Sequence, residues 1–114
     1  AIFIHDDYET IKKKIRRAYC PEGIAEQNPI LEIANHIIFQ HFDEMEVKRK
    51  DAEPIVFKSY DELEKAFVSR ELHPLDLKMA VADYLEKILL PIRQYFEKHP
   101  NNYQKLLNYM QNKY

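Results

Sequence analysis

Apolar residues recur at helical spacing along most of this chain, and turn-forming residues separate the runs. Asp6 or Asp7 can cap a first helix running to about Tyr19, with Tyr8, Ile11, Ile15, Ala18 and Tyr19 as its apolar stripe. Cys20 to Gln27, with Pro21 and Gly23, reads as a loop. Asn28 then caps a second helix with Pro29 at its first position, and Leu31, Ala34, Ile37 and Ile38 are expected to face inward. Met45–Arg49 and Pro54–Phe57 alternate loosely, as a short hairpin or a loop would. Ser59 and Glu62 form a capping box for a third helix holding Leu63, Ala66 and Phe67.

A fourth helix is predicted from Pro74 towards Phe96, with Leu77, Val81, Leu85, Ile88 and Ile92 inside. Pro91 is expected to bend it, because proline removes one ladder donor. After Pro100, the spacing of Tyr103, Leu106, Leu107 and Met110 predicts a terminal helix. The fold class is therefore all-α, a small bundle of about five helices with room for one short β-hairpin. Residues 1–99 form the main domain, and 100–114 an additional helix packed on it.

At 114 residues the chain fits one small domain, able to bury roughly two-thirds of its unfolded surface. Charged residues make up 32% but the net charge is only -2, so any polyanion contact has to come from local patches. The single cysteine excludes an internal disulfide, which suits a reducing cytoplasm. No apolar run approaches the ~18 residues of a membrane span. The opening at Ala1, without a methionine, suggests a piece of a longer protein.

One glycine, Gly23, cannot build a phosphate-cradling loop. The five histidines (His5, His36, His41, His73 and His99) are scattered, and Cys20 has no neighbour of zinc-site spacing. A catalytic Cys20–His pair is the weak enzymatic alternative. Binding chemistry is better represented. Lys12, Lys13, Lys14, Arg16 and Arg17 are expected on the solvent side of the first helix, where they suit phosphate contacts or an ordinary solvated face balanced by Asp6, Asp7 and Glu9. In Glu71-Leu72-His73-Pro74-Leu75-Asp76-Leu77-Lys78, Pro74 marks the first helical position, and His73, Asp76 and Lys78 are presented to solvent. Asp76 in the first turn can serve the helix dipole, or accept hydrogen bonds from the paired N–H donors of a guanine edge.

Four segments carry a family resemblance. Ala18-Tyr19-Cys20-Pro21-Glu22-Gly23 precedes Asn28-Pro29-Ile30-Leu31-Glu32-Ile33-Ala34. Ser59-Tyr60-Asp61-Glu62-Leu63-Glu64 and the Glu71–Lys78 stretch follow in order. Together, over roughly residues 1 to 97, they resemble the C-terminal part of archaeal and eukaryotic-type tyrosyl-tRNA synthetases. The opening Ala1-Ile2-Phe3-Ile4-His5-Asp6-Asp7 looks like the segment after that family's Lys-Met-Ser-Lys-Ser loop; tryptophanyl enzymes share it, but the Ala-Tyr-Cys-Pro and Asn-Pro-Ile-Leu-Glu blocks favour the tyrosyl branch.

The resemblance implies a domain that reads the tRNA anticodon of tyrosine tRNA. The His-Pro-x-Asp aspartate, here Asp76, would bind the guanosine at the first anticodon position, with His73 and Pro74 shaping the site. Cys20 and Pro21 would lie near the same nucleotides, and Lys12, Lys13, Lys14, Arg16, Arg17 and Lys78 would hold backbone phosphates. ATP with Mg, tyrosine and the dimer contact would belong to a catalytic domain whose His-Ile-Gly-His and Lys-Met-Ser-Lys-Ser motifs are not in these residues. The chain alone is expected to be inactive as a ligase, to bind no cofactor, and to be monomeric or weakly associated. The family's base-stacking aromatic falls here around Asp51-Ala52-Glu53, in what reads as a shortened loop; Phe57 and Tyr60 are the nearby substitutes. The rival readings are a helical protein-interaction module using the 103–114 tail and the equivalent domain of a tryptophanyl enzyme.

Overall fold

The computed structural model describes residue 2 and residues 6–113, with the side chains of 110, 112 and 113 left aside. Ala1, Phe3, Ile4, His5 and Tyr114, and the Met110 side chain, lie outside the described residues. The elements run α1 (Tyr8–Arg17), α2 (Pro29–Ile33), a π-helical turn (Ala34–Ile38), α3 (Phe39–His41), β1 (Met45–Arg49), β2 (Ala52–Phe57), α4 (Tyr60–Val68), α5 (Pro74–Lys98) and α6 (Pro100–Lys113). This is a small, mostly helical domain with one two-stranded antiparallel hairpin. Among the described residues no helix is long and apolar enough to cross a membrane.

The helix starts follow from their capping residues. Asp7 is the N-cap of α1: its carboxylate accepts the Thr10 backbone N–H at 2.8 Å. Ser59 Oγ accepts the Glu62 N–H at 3.3 Å, while Glu62 reaches back to the Lys58 N–H at 2.8 Å, one residue beyond the usual reciprocal bond. Asn28 caps α2 from a fully buried position, with Pro29 at the first helical residue. The hydrogen bond to Thr10 holds the Asp7 carboxyl below the usual carboxylate range. Its contribution is therefore present above that range and lost as pH falls through the lowered value. Asp7→Asn, which keeps an acceptor without the charge, should have a lower urea midpoint than the unaltered chain near neutral pH. The two midpoints should converge in acid; a gap constant down the acid limb would exclude this role for the charge.

The core lies between α5 and everything else. α1 and the α2–α3 segment pack on α5, and β1 lies across it, so that Ile11, Ile15, Ile30, Leu31, Met45, Val47, Leu63, Phe67, Leu77 and Val81 meet in one buried cluster. Two predicted core positions are exposed. Tyr19 lies past the end of α1, whose helix stops at Arg17, and is 65% exposed. Ile37 turns outward while Ile30 is buried, because the wider i→i+5 winding at Ala34–Ile38 carries Ile38, not Ile37, beneath Ala34. Ile88 and Ile92 are only half-buried, and α5 continues through Pro91.

The hairpin forms with Lys50 and Asp51 as its turn, so Ala52 and Glu53 belong to β2 and not to a shortened loop. Val47 pairs with Ile55 and Arg49 with Ala52, a register slip that sets Glu53 and Pro54 opposite Lys48. A bulge there suits Pro54, which has no N–H to give the ladder. Tyr84 pins the hairpin to α5, its hydroxyl accepting the Glu46 N–H at 2.8 Å.

Candidate nucleic-acid interface

The start of α5 is built as its sequence dictates. His73 is the N-cap and its Nδ1 accepts the Leu75 N–H at 3.0 Å; Pro74 follows at the first helical position. Because His73 does the capping, the half-exposed Asp76 carboxylate in the first turn makes no hydrogen bond or ion pair among the described residues. It lines a cavity of about 580 Å3 between α5 and the hairpin, whose rim carries Lys48, Arg49, Lys50 and Lys87. Lys48 and Lys50 are exposed, whereas Arg49 Nε is held by the Glu53 carbonyl at 2.7 Å. Sequence reasoning did not find these hairpin cations. Only the β1–α5 packing brings them to Asp76, and the Lys-Arg-Lys run at a turn is the one local signal that would have flagged them.

The expected cationic face of α1 is divided. Lys12 pairs with Glu9 at 2.9 Å and lies over the Tyr8 ring, 4.5 Å from its centroid. Lys14 pairs at 2.7 Å with Asp6, which is only 7% exposed, on the side facing the core. Lys13, Arg16 and Arg17 remain exposed. Lys78 spends its ammonium on the Arg16 carbonyl at 2.8 Å, tying α5 to the end of α1. The five α1 cations therefore do not share one solvent face as expected, because a helix of ten residues turns through several faces and two acids claim two of the lysines.

Cys20 and Pro21 sit in a loop anchored at both ends. Arg70 reaches from the end of α4 to Glu22 at 3.1 Å and covers Gly23, whose φ of 72° needs glycine's freedom. The buried Asn28 amide donates to Cys20 Sγ at 3.6 Å and to the Ile24 carbonyl at 3.1 Å. Burial pushes the Cys20 thiol up, opposite to what a thiolate nucleophile needs. That direction gives no support to the catalytic-cysteine alternative. The Lys78 ammonium acts weakly in the opposite sense.

The two substitutes for a base-stacking ring are both engaged elsewhere. Phe57 is buried in the core. Tyr60 packs against it, and burial together with its Glu64 hydrogen bond pushes the phenol up to about 12. At the other end of the molecule, Tyr103 of α6 meets Phe96 of α5 with ring centroids 5.3 Å apart, and Leu106 is half-buried.

Comparison with known proteins bears on the family and the fold. A family model described as tRNA synthetases class I (W and Y) matches residues 1–90. Tyrosine–tRNA ligase of Thermococcus sibiricus is 48% identical over 103 residues, which is 88% of this chain and 28% of that protein. The fold matches tyrosyl-tRNA synthetase from Pyrococcus horikoshii, solved with L-tyrosine, at a TM-score of 0.81 and 45% identity, covering 88% of this chain and 28% of that one. The Aeropyrum pernix tyrosyl-tRNA synthetase matches at a TM-score of 0.82 and 37% identity over 99% of this chain and 33% of that one. The chain thus spans under a third of the length of the curated relatives it matches.

Proposed function

Because the chain belongs to the class I tRNA synthetases of the tryptophanyl and tyrosyl (W and Y) kind, we propose that it is the anticodon-reading part of a tyrosine–tRNA ligase. The observation that carries the reading is the uncommitted carboxylate of Asp76, held in the first turn of a 25-residue helix and facing a cavity rimmed by lysine and arginine. An unpaired base exposes its Watson–Crick edge, and guanine's N1–H and N2–H are two adjacent donors that a carboxylate accepts together. The rim cations meet the flanking phosphates, as do Lys13, Arg16 and Arg17 further along the backbone. His73 and Pro74 fix where the helix begins, and hence where Asp76 points. Cys20 and Pro21 do not line that cavity, so their part would be with neighbouring nucleotides, and Lys12, Lys14 and Lys78 support the framework more than they meet RNA. The relatives named above are tyrosine enzymes, which weighs against the tryptophanyl reading.

In the longer parent protein this domain would position tyrosine tRNA so that its acceptor end reaches an active site elsewhere, a contribution of orientation rather than bond chemistry. ATP with Mg would activate tyrosine in that other part, and a homodimer would form through it. The single glycine, in a turn beneath the Arg70 side chain, supports placing the nucleotide in that other part.

The test is fluorescence anisotropy of this chain with a tyrosine-tRNA anticodon stem-loop, against a loop altered only at the first anticodon base. A preference for guanosine that persists at moderate salt is expected; equal affinity for both loops at every salt would overturn base reading. Replacing Arg16 and Arg17 by alanine should lower the slope of log affinity against log salt by about 0.7–0.9 for each phosphate no longer neutralised, while leaving the guanosine preference in place. An unchanged slope would remove those two residues from the interface.

A further inference from the structure

An unpaired base presents an edge and two faces, and Asp76 accounts only for the edge. We propose that Met79 is the face-packing residue of the Asp76 site, its thioether lying against the purine whose edge the carboxylate binds. This rests on the anticodon reading above and extends it to a second residue.

Met79 lies one turn beyond Asp76 on the same face of α5, and both line the cavity between α5 and the hairpin. The other apolar side chains of that lining are already engaged. Tyr84 is buried, its hydroxyl holds Glu46, Lys87 lies over its face at 4.4 Å, and Phe42 meets its edge with centroids 5.0 Å apart. Tyr8 donates its hydroxyl to Asp83 and carries Lys12 over its ring. Ala80 is buried. The hairpin turn, Lys50 and Asp51, brings no ring to the site. Met79 is 49% exposed, a large apolar side chain that the core does not use.

The surroundings fit an RNA base. Met79 also lines a smaller hollow of about 230 Å3 beside Leu75, Arg16 and Lys78, so an apolar strip runs between cations on α1 and cations on the hairpin. Acidic groups line the cavity too. Asp83 receives the Tyr8 hydroxyl, Glu86 is matched by Arg93 at 2.6 Å, and Glu46 is exposed at the edge. A thioether is polarisable, tolerates varied neighbours and packs favourably against π faces, so it serves any purine while Asp76 selects which one.

The decisive comparison uses three stem-loops: guanosine, adenosine or an abasic residue at the first anticodon position. Met79→Ala should weaken the guanosine and adenosine loops by a similar factor, about 2- to 10-fold, and leave their ratio unchanged. It should leave the abasic loop unaffected, and Met79→Phe should restore or exceed the original affinity. Two results would overturn the role of Met79: no loss on the guanosine loop, or an equal loss on the abasic loop. Asp76→Ala in parallel separates the two ideas, because a collapsed guanosine preference there keeps the anticodon reading standing whatever Met79 does. If the unaltered chain binds none of the loops, both fall together.

Discussion

Asp76→Ala is expected to reduce the preference for guanosine over adenosine at the first anticodon position by about 5- to 150-fold, the range for removing one good bidentate bond to a base. Absolute affinity should fall less than the ratio suggests, because the phosphate contacts are untouched and carry much of the binding. The fold should survive. The first-turn N–H of Leu75 is capped by His73 and not by Asp76, so the loss to the helix is limited to the dipole interaction, about 0.3–1 kcal/mol. Asp76→Asn sharpens the test: the amide keeps the size but pairs one acceptor with one donor, and that donor opposes one of guanine's. Asp76→Arg reverses the charge and should abolish the preference altogether. Circular dichroism and anisotropy read together decide the matter. A collapsed ratio with an intact helix signal establishes recognition, whereas a lost helix signal would make Asp76 structural and end its assignment as a reader.

The sequence was most legible where one local rule sufficed. Pro74 after His73, Pro29 after Asn28 and the Ser59/Glu62 pair each mark a helix start, because the orphan N–H groups there must be satisfied by the next few residues. The hairpin forms for a similarly local reason, with alternation on either side of a polar turn. Legibility ended where a neighbour distant in sequence decides. Nothing near Lys14 announces that Asp6 will be buried beside it, nor that Arg93 will donate to the Asp6 carbonyl at 2.6 Å across the whole chain. Ile37 is turned outward by a single wide turn that no spacing rule anticipates. The candidate site divides in the same way. Asp76 could be found from its own octapeptide, but Lys48, Lys50 and Met79 join it only through the packing of β1 on α5 and the Tyr84–Glu46 bond. A motif therefore points to a candidate residue and misses the surface around it.

The largest stability effect is expected at Asn28, a buried residue that no RNA would touch. Its Oδ1 accepts two backbone N–H groups, from Ile30 at 3.0 Å and Leu31 at 3.2 Å, and its Nδ2 donates to the Ile24 carbonyl and to Cys20 Sγ. All the amide's principal donors and acceptors are used, and the side chain is fully buried. Asn28→Ala would leave two buried N–H groups and one carbonyl without partners, where water has no access to replace the missing cap. The expected cost is about 2–4 kcal/mol, or a melting temperature lower by roughly 10–20 °C for a chain of this size. Asn28→Asp separates the two halves of the role, since it keeps the cap acceptor but can donate to neither Ile24 nor Cys20 and buries a charge. It should be destabilised too, and less so in acid, where the carboxyl is neutral. The link to binding is through the Cys20–Pro21 loop, which Asn28 holds against the start of α2. At a temperature where the variant remains folded, its affinity for the anticodon loop should weaken even though Asp76 and the rim cations are intact. A melting temperature within a few degrees of the unaltered chain would show that the orphaned groups find other partners, and that this loop does not depend on Asn28 for its position.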